Sequence, residues 1–295
     1  MRFLSLLNPP GRLKRWGVKV AFLLVVTVLV LYPRPWMLVR HIDRGLHLSA
    51  LIEPNAAGVD RLAAEVRRET QGARNGDPQL RAVERVVYRA LPYEYDWDNW
   101  GVANYFPTAA EAIARGRSDC KGRAVVAASV LAQLGFAPRL VSDLSHVWVW
   151  TAQGEAMGPM RTASGRRLID ADASGQRVDL RAIVSEGGVL VDLPVRLGFS
   201  INVFPALRTA IIALAVWLIV LRMPPRWWAA IAGAIVIGAG LIVLGRSSPH
   251  PEHAHIVGVW AGIALIAAGL LASRVRGGEP NEKARLPDAT GPSSS

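Results

Sequence analysis

The chain has 295 residues, is 51% hydrophobic, carries a formal charge of +11 and contains one cysteine. A single thiol excludes an intrachain disulfide. The positive excess is not spread evenly: residues 40–200 hold 20 Lys and Arg against 19 Asp and Glu, and the rest of the chain holds 14 against 4. Charge that flanks apolar segments marks membrane topology, so a nucleic-acid partner is set aside.

Four segments are apolar over the length of a bilayer-crossing helix, about 20 residues. They are Val18–Met37, Phe204–Leu221, Trp227–Leu244 and Ile256–Ser273. Arg2, Arg12, Lys14 and Arg15 precede the first, Arg222 and Arg226 separate the second and third, and Arg274, Arg276, Lys283 and Arg285 follow the fourth. With four spans these clusters share one side, which the positive-inside rule makes cytoplasmic. Both termini are therefore expected in the cytoplasm. The first apolar run leads into Tyr32-Pro33-Arg34-Pro35-Trp36, with no small-residue cleavage site, so it reads as an uncleaved anchor. The expected organisation is a tail and anchor over 1–38, an extracytoplasmic domain over 40–200, three spans over 204–273 and a disordered cytoplasmic tail over 274–295.

Within the domain, Val59, Leu62, Ala63 and Val66 fall at helical spacing over Asn55–Thr70. Asn75-Gly76-Asp77-Pro78 is a turn that caps a second helix over Gln79–Leu91, ended by Pro92. Pro92–Phe106 is rich in Tyr and Trp with interleaved acids and has no period, which reads as an ordered loop lining a surface. Thr108-Ala109-Ala110-Glu111 matches a capping box and predicts a short helix to Arg115. Cys120 opens an apolar helix that Gly135 closes. Strands are expected over Pro138–Ser142, His146–Thr151 and Arg166–Ala171. Ala152–Gly165 is a loose hairpin tip, and Val189–Pro194 is a possible extra strand.

A lone thiol followed in order by His146 and Asp170 is the raw material of a cysteine nucleophile with its base and orienting acid. A helix N-terminus favours thiolate, and Lys121 and Arg123 add positive charge. A histidine and an acid on adjacent strands, about 4.8 Å apart, can meet. His146, Trp148 and Trp150 share one strand face, so Trp148 is placed as a wall beside the imidazole.

The run Gly116-Arg117-Ser118-Asp119-Cys120, the apolar helix, Leu134-Gly135-Phe136-Ala137-Pro138-Arg139, then His146-Val147-Trp148 and Leu168-Ile169-Asp170 resembles the transglutaminase-like superfamily. Tyr95-Asp96-Trp97-Asp98-Asn99-Trp100-Gly101 and Thr108-Ala109-Ala110-Glu111 are similar to segments of bacterial transglutaminase-like cysteine proteinases. The resemblance covers residues 80–175. It implies an α+β, papain-like domain with the Cys-bearing helix on an antiparallel sheet, which the apolar runs place beside four transmembrane helices. It also implies Cys120 as nucleophile, His146 as base and Asp170 as orienting acid. Two departures stand out: Ser118 replaces the usual glycine, and Ala171-Asp172 follows the acid, which leaves Asp172 as a competing third member. The Trp100 indole is a candidate oxyanion donor beside the Cys120 N–H, and Trp97 and Trp148 are candidate groove residues.

The expected activity is amide-directed acyl chemistry, as peptidase, amidase or acyltransferase, on a protein or peptide-like substrate. The alternative is a silent domain that binds an envelope polymer or a membrane partner protein. Asp119 reads as a helix cap or ion-pair partner rather than a catalyst. His250, His253 and His255 lack the spacing of a metal site. No metal or organic cofactor is implied.

Overall fold

The computed structural model describes residues 6–71, 76–143, 146–158, 167–172, 175–179, 188–221, 226–250 and 253–275. Arg2, Asn75, the hairpin tip at 159–166, Arg222 and the tail from residue 276 lie outside them.

The first apolar helix, α1, runs Arg12–Leu31. Tyr32 precedes a proline and leaves the helical region, and Pro35 restarts the chain at the first position of α2, Pro35–Leu46. The two helices are bent by 84°. The first span, expected to reach Met37, thus stops at Leu31, and Met37 turns inward against the domain. Lys19 of α1 is buried and donates to the carbonyl of Ile219, near the C-terminal end of helix α9 (Ala206–Val220), where a cation complements the helix dipole.

Helix α8 (Gly188–Val203) occupies the segment expected to add a strand, and it packs on α10 (Trp227–Arg246) and α11 (Ile256–Ala272). Helices α10 and α11 approach backbone to backbone. A Cβ on Gly233 would meet the Gly269 carbonyl at 2.5 Å, and one on Gly269 would meet the Gly233 carbonyl at 2.6 Å. The expectation of four spans is corrected here. Among the described residues, only α10, with 20 residues, is long and apolar enough alone to cross a membrane, and α1 with α2 makes a second if the bent pair is one broken span. Helices α9 and α11 are apolar but have 15 and 17 residues.

The domain is α+β. An amphipathic pair, α3 (Val59–Glu69) and α4 (Gly76–Ala90), is tied on its outer face by Arg85–Glu69 and Arg89–Glu65 ion pairs. The aromatic loop contains one helical turn, α5 (Asp96–Asn99). Helix α6 (Ala109–Arg115) starts on the expected capping box: Thr108 accepts from the Glu111 N–H, and Glu111 accepts from the Thr108 N–H. Helix α7 (Cys120–Gln133) buries every residue from Ala124 to Leu131, as a helix enclosed on all sides must. Its end is a Schellman turn, with Gly135 at φ +91 and the Phe136 N–H donating to Leu131.

Five antiparallel strands form one sheet in the order β3-β2-β1-β4-β5. They are β1 (Arg139–Ser142), β2 (Val147–Thr151), β3 (Gly154–Ala156), β4 (Ile169–Asp172) and β5 (Gly175–Val178). β3 lies in the segment read as a loose tip. β1 sits in the middle, pairing Val141 with Trp148 on one side and with Asp170 on the other. Leu140, Val141, Val149 and Ala171 join α7 in the main core.

Candidate active site

Cys120 is the first residue of α7, and Asp119 caps the helix by accepting the Lys121 N–H at 3.0 Å. The thiol is partly buried, and the nearby backbone N–H of Val147 favours its thiolate form. Val147 opens β2, one residue beyond His146.

His146 stands just before β2 and is locked through its backbone. Its N–H donates to Asp143 Oδ1 at 2.7 Å, and its carbonyl accepts from the Asp143 N–H and the Ser142 hydroxyl. Its ring lies near-parallel to Trp148, centroids 6.3 Å apart, and Nε2 is 2.8 Å from the Met157 carbonyl oxygen. A carbonyl only accepts, so Nε2 carries the proton and, in the neutral ring, Nδ1 keeps the free lone pair. Met157 follows β3 with φ +62, a left-handed conformation that a side chain disfavours. The Glu84 carboxylate of α4 accepts the Met157 N–H at 2.7 Å and holds that conformation.

Asp170 is not brought to His146. Strand β1 lies between β2 and β4, so the expectation that histidine and acid occupy neighbouring strands is corrected by the sheet order. Asp170 and Asp172 both face Arg139, at 3.6 and 3.2 Å. With Gln176 and Arg177, these three residues line a small polar cleft at the far side of the sheet.

The other candidates occupy packed positions. Trp148 is 2% exposed and belongs to the core, not to an open groove. Trp100 packs with Tyr32, Met37 and Tyr105 under the Arg115 guanidinium, 4.6 Å from its ring. Its indole N–H is buried and has no partner among the described residues. Trp97 stacks on Tyr95 and meets Phe204 edge-on, which links the aromatic loop to the end of the α8 segment. The loop therefore serves mainly as packing.

The charge around the thiol differs from the expected positive field. Lys121 is almost fully buried and ion-paired with two carboxylates, Asp119 and, at 3.0 Å, Asp96. Burial works against its charge, but Asp119 and Asp96 outweigh it and hold the ammonium above its usual range. Asp96 is 2% exposed and accepts the Tyr105 N–H at 2.7 Å. Burial raises its titration, Lys121 pulls it down and Asp119 pushes it up again. Arg123 turns away to the Leu91 carbonyl and the faces of Tyr88 and Tyr93. Burial, followed by Asp119, pushes the Cys120 thiol up to about 11. At neutral pH the thiol is therefore protonated.

Ser118 also has a packing role. It is fully buried, and a Cβ on Gly122 would lie 2.0 Å from its hydroxyl oxygen and 2.8 Å from Pro107. The serine and the glycine one helical turn on form a fitted pair. Sequence reasoning missed the Val147 N–H, the Met157 carbonyl and Glu84, because backbone groups carry no residue signature and Glu84 acts only through one. The Lys121–Asp96 pair was signalled only by acids in an aromatic loop. No protein-family model, characterised protein or solved structure matches the chain.

Proposed function

We propose that the protein is a membrane-attached thiol acyltransferase or hydrolase working through a Cys120–His146 dyad. The observation that carries this is the paired geometry at the start of β2. The Val147 N–H lies beside the thiol, and the Met157 carbonyl fixes the proton of the adjacent His146 on Nε2.

Because the thiol rests neutral, the histidine acts as general base during attack rather than as half of a preformed ion pair. Sulfur bonds to the amide carbonyl carbon while its proton passes to Nδ1. The tetrahedral centre then expels the amine, which takes that proton, and a thioester remains. Water or an amine attacks the thioester, gives a proton to Nδ1, and the thiol leaves with that proton. The Met157 carbonyl does the orienting work assigned from sequence to Asp170, without a negative charge.

Membrane attachment is supported by α10 and by the exposed apolar side chains along α1 and α10, among them Leu24, Val25, Leu29, Ile231, Ile235 and Ile242. Contiguous apolar surface on this scale requires a cover. The position of Asp170, which faces Arg139 rather than His146, favours the second reading, a silent domain that binds an envelope polymer or partner protein.

Acylation by p-nitrophenyl acetate separates the two. A working dyad gives one equivalent of p-nitrophenolate per chain, lost in Cys120→Ala and slowed about 10²-fold or more in His146→Ala. Equal rates in the wild type and His146→Ala would leave the silent reading standing.

A further inference from the structure

We infer that α2 is a membrane-interface helix that seats the domain on the lipid surface, an inference that rests on α1 being embedded in the bilayer. The helix divides into three sectors. Met37, Leu38, His41, Arg44 and Gly45 face the domain. Met37 packs with Trp100 and Tyr105, the His41 ring stacks on Phe106 at 5.2 Å, and Arg44 reaches Glu111 at 2.6 Å. Val39, Ile42 and Leu46 form a second sector, and like Trp36 they are 52–67% exposed. Arg40, Asp43 and His47 form a polar edge beside it, with Trp36 among them.

Lipid is the occupant that fits the apolar sector. The chain enters α2 directly from the end of α1, and the two axes are bent by 84°. If α1 stands across the bilayer, α2 lies along its plane, at the level where α1 emerges. A short helix with one apolar stripe, a tryptophan and a polar border has the composition of a helix lying at the headgroup–acyl boundary. Its domain-facing sector meets the loop that carries Tyr105 and the capping residue Glu111. That contact holds the start of the Cys120 helix close to the lipid surface and selects amides presented there.

The single cysteine makes a direct test possible. In the full chain carrying Cys120→Ser, a fluorescent probe is placed by Val39→Cys, Val25→Cys or Arg68→Cys. Each variant is reconstituted in phosphatidylcholine–phosphatidylglycerol vesicles with spin labels either near the lipid carbonyl or at the acyl end. The inference expects the Val39 probe to be quenched by the shallow label, the Val25 probe by the deep label and the Arg68 probe by aqueous iodide alone. A Val39 probe open to iodide, or shielded from both lipid and iodide as under a protein partner, overturns the inference while a lipid-quenched Val25 keeps α1 in the membrane. Deep quenching at Val39 equal to that at Val25 also overturns it, because α2 would then enter the hydrocarbon. A Val25 probe silent to lipid removes the membrane reading itself.

Discussion

Replacing Lys121 by Met tests whether the buried charge trio organises the start of α7. The ammonium is 13% exposed and sits between Asp96 and Asp119, whose side chains are 2% and 7% exposed. Methionine keeps the length of the stem and removes the charge, which leaves two carboxylates enclosed with no cation. Breaking a buried pair in this way costs about 3–5 kcal/mol. At ~2–4 °C per kcal/mol for a unit of this size, the melting temperature falls by roughly 6–20 °C. Thermal unfolding of the full chain in detergent, followed by tryptophan fluorescence, reads this directly. The sign of the pH effect follows from the raised Asp96 titration. A carboxyl whose folded pKa exceeds its unfolded value favours folding when protonated, and that contribution is lost as pH rises through the folded pKa. The deficit of Lys121→Met therefore shrinks on acidification and grows toward neutral pH. Adding Asp96→Asn removes one stranded charge and restores at least half of the loss. A deficit below about 1 kcal/mol, the scale of an exposed ion pair, would refute the reasoning. So would a double variant no more stable than the single one.

The remaining predictions concern the site. With its thiol at about 11, Cys120 alkylates at pH 8 roughly two hundredfold more slowly than a free cysteine of pKa ~8.5, and the iodoacetamide rate keeps rising past pH 9. A plateau near pH 7 would instead reveal a preformed ion pair. Asp170→Asn changes the p-nitrophenyl acetate acylation rate by less than about twofold, while Glu84→Ala, which frees Met157, lowers it about tenfold or more at unchanged folding; the reverse ranking would restore Asp170 as the orienting residue. Gly122→Ala costs about 1–3 kcal/mol because its new methyl meets Ser118, and Ser118→Gly added to it recovers most of that in chemical denaturation.

What could be read from sequence was local. The Thr108 capping box, the start of a helix at Cys120 and the Gly135 stop each depend on a few neighbouring residues, and each is found as expected. Strand order is not local. The run ending in Asp170 has the composition of a partner for either side of the sheet, and its pairing with β1 rather than β2 separates it from His146. The thiol environment was misjudged for a similar reason. Lys121 and Arg123 lie close to Cys120 in sequence, but their charges are answered by Asp96, 25 positions upstream of Lys121, and by the Leu91 carbonyl. Apolar length overcounted the spans, because Pro33 and Pro35 break the first run and α9 and α11 have only 15 and 17 residues.

Two adjacent carbonyls in the aromatic loop are gripped from different helices. Arg34, just past α1, donates to Trp100 at 2.7 Å, and Arg208, in the first turn of α9, donates to Gly101 at 3.1 Å. Gly101 has φ +73, and a Cβ there would lie 2.8 Å from the Arg34 guanidinium, so any other residue would be strained and would displace the clasp. The same loop supplies Asp96 to Lys121, beside the Cys120 thiol. The domain is thus bolted to its helices rather than tethered on a leash. Cutting it free would loosen the bolts nearest the chemistry, and a soluble fragment that folds well need not report how the intact protein reacts.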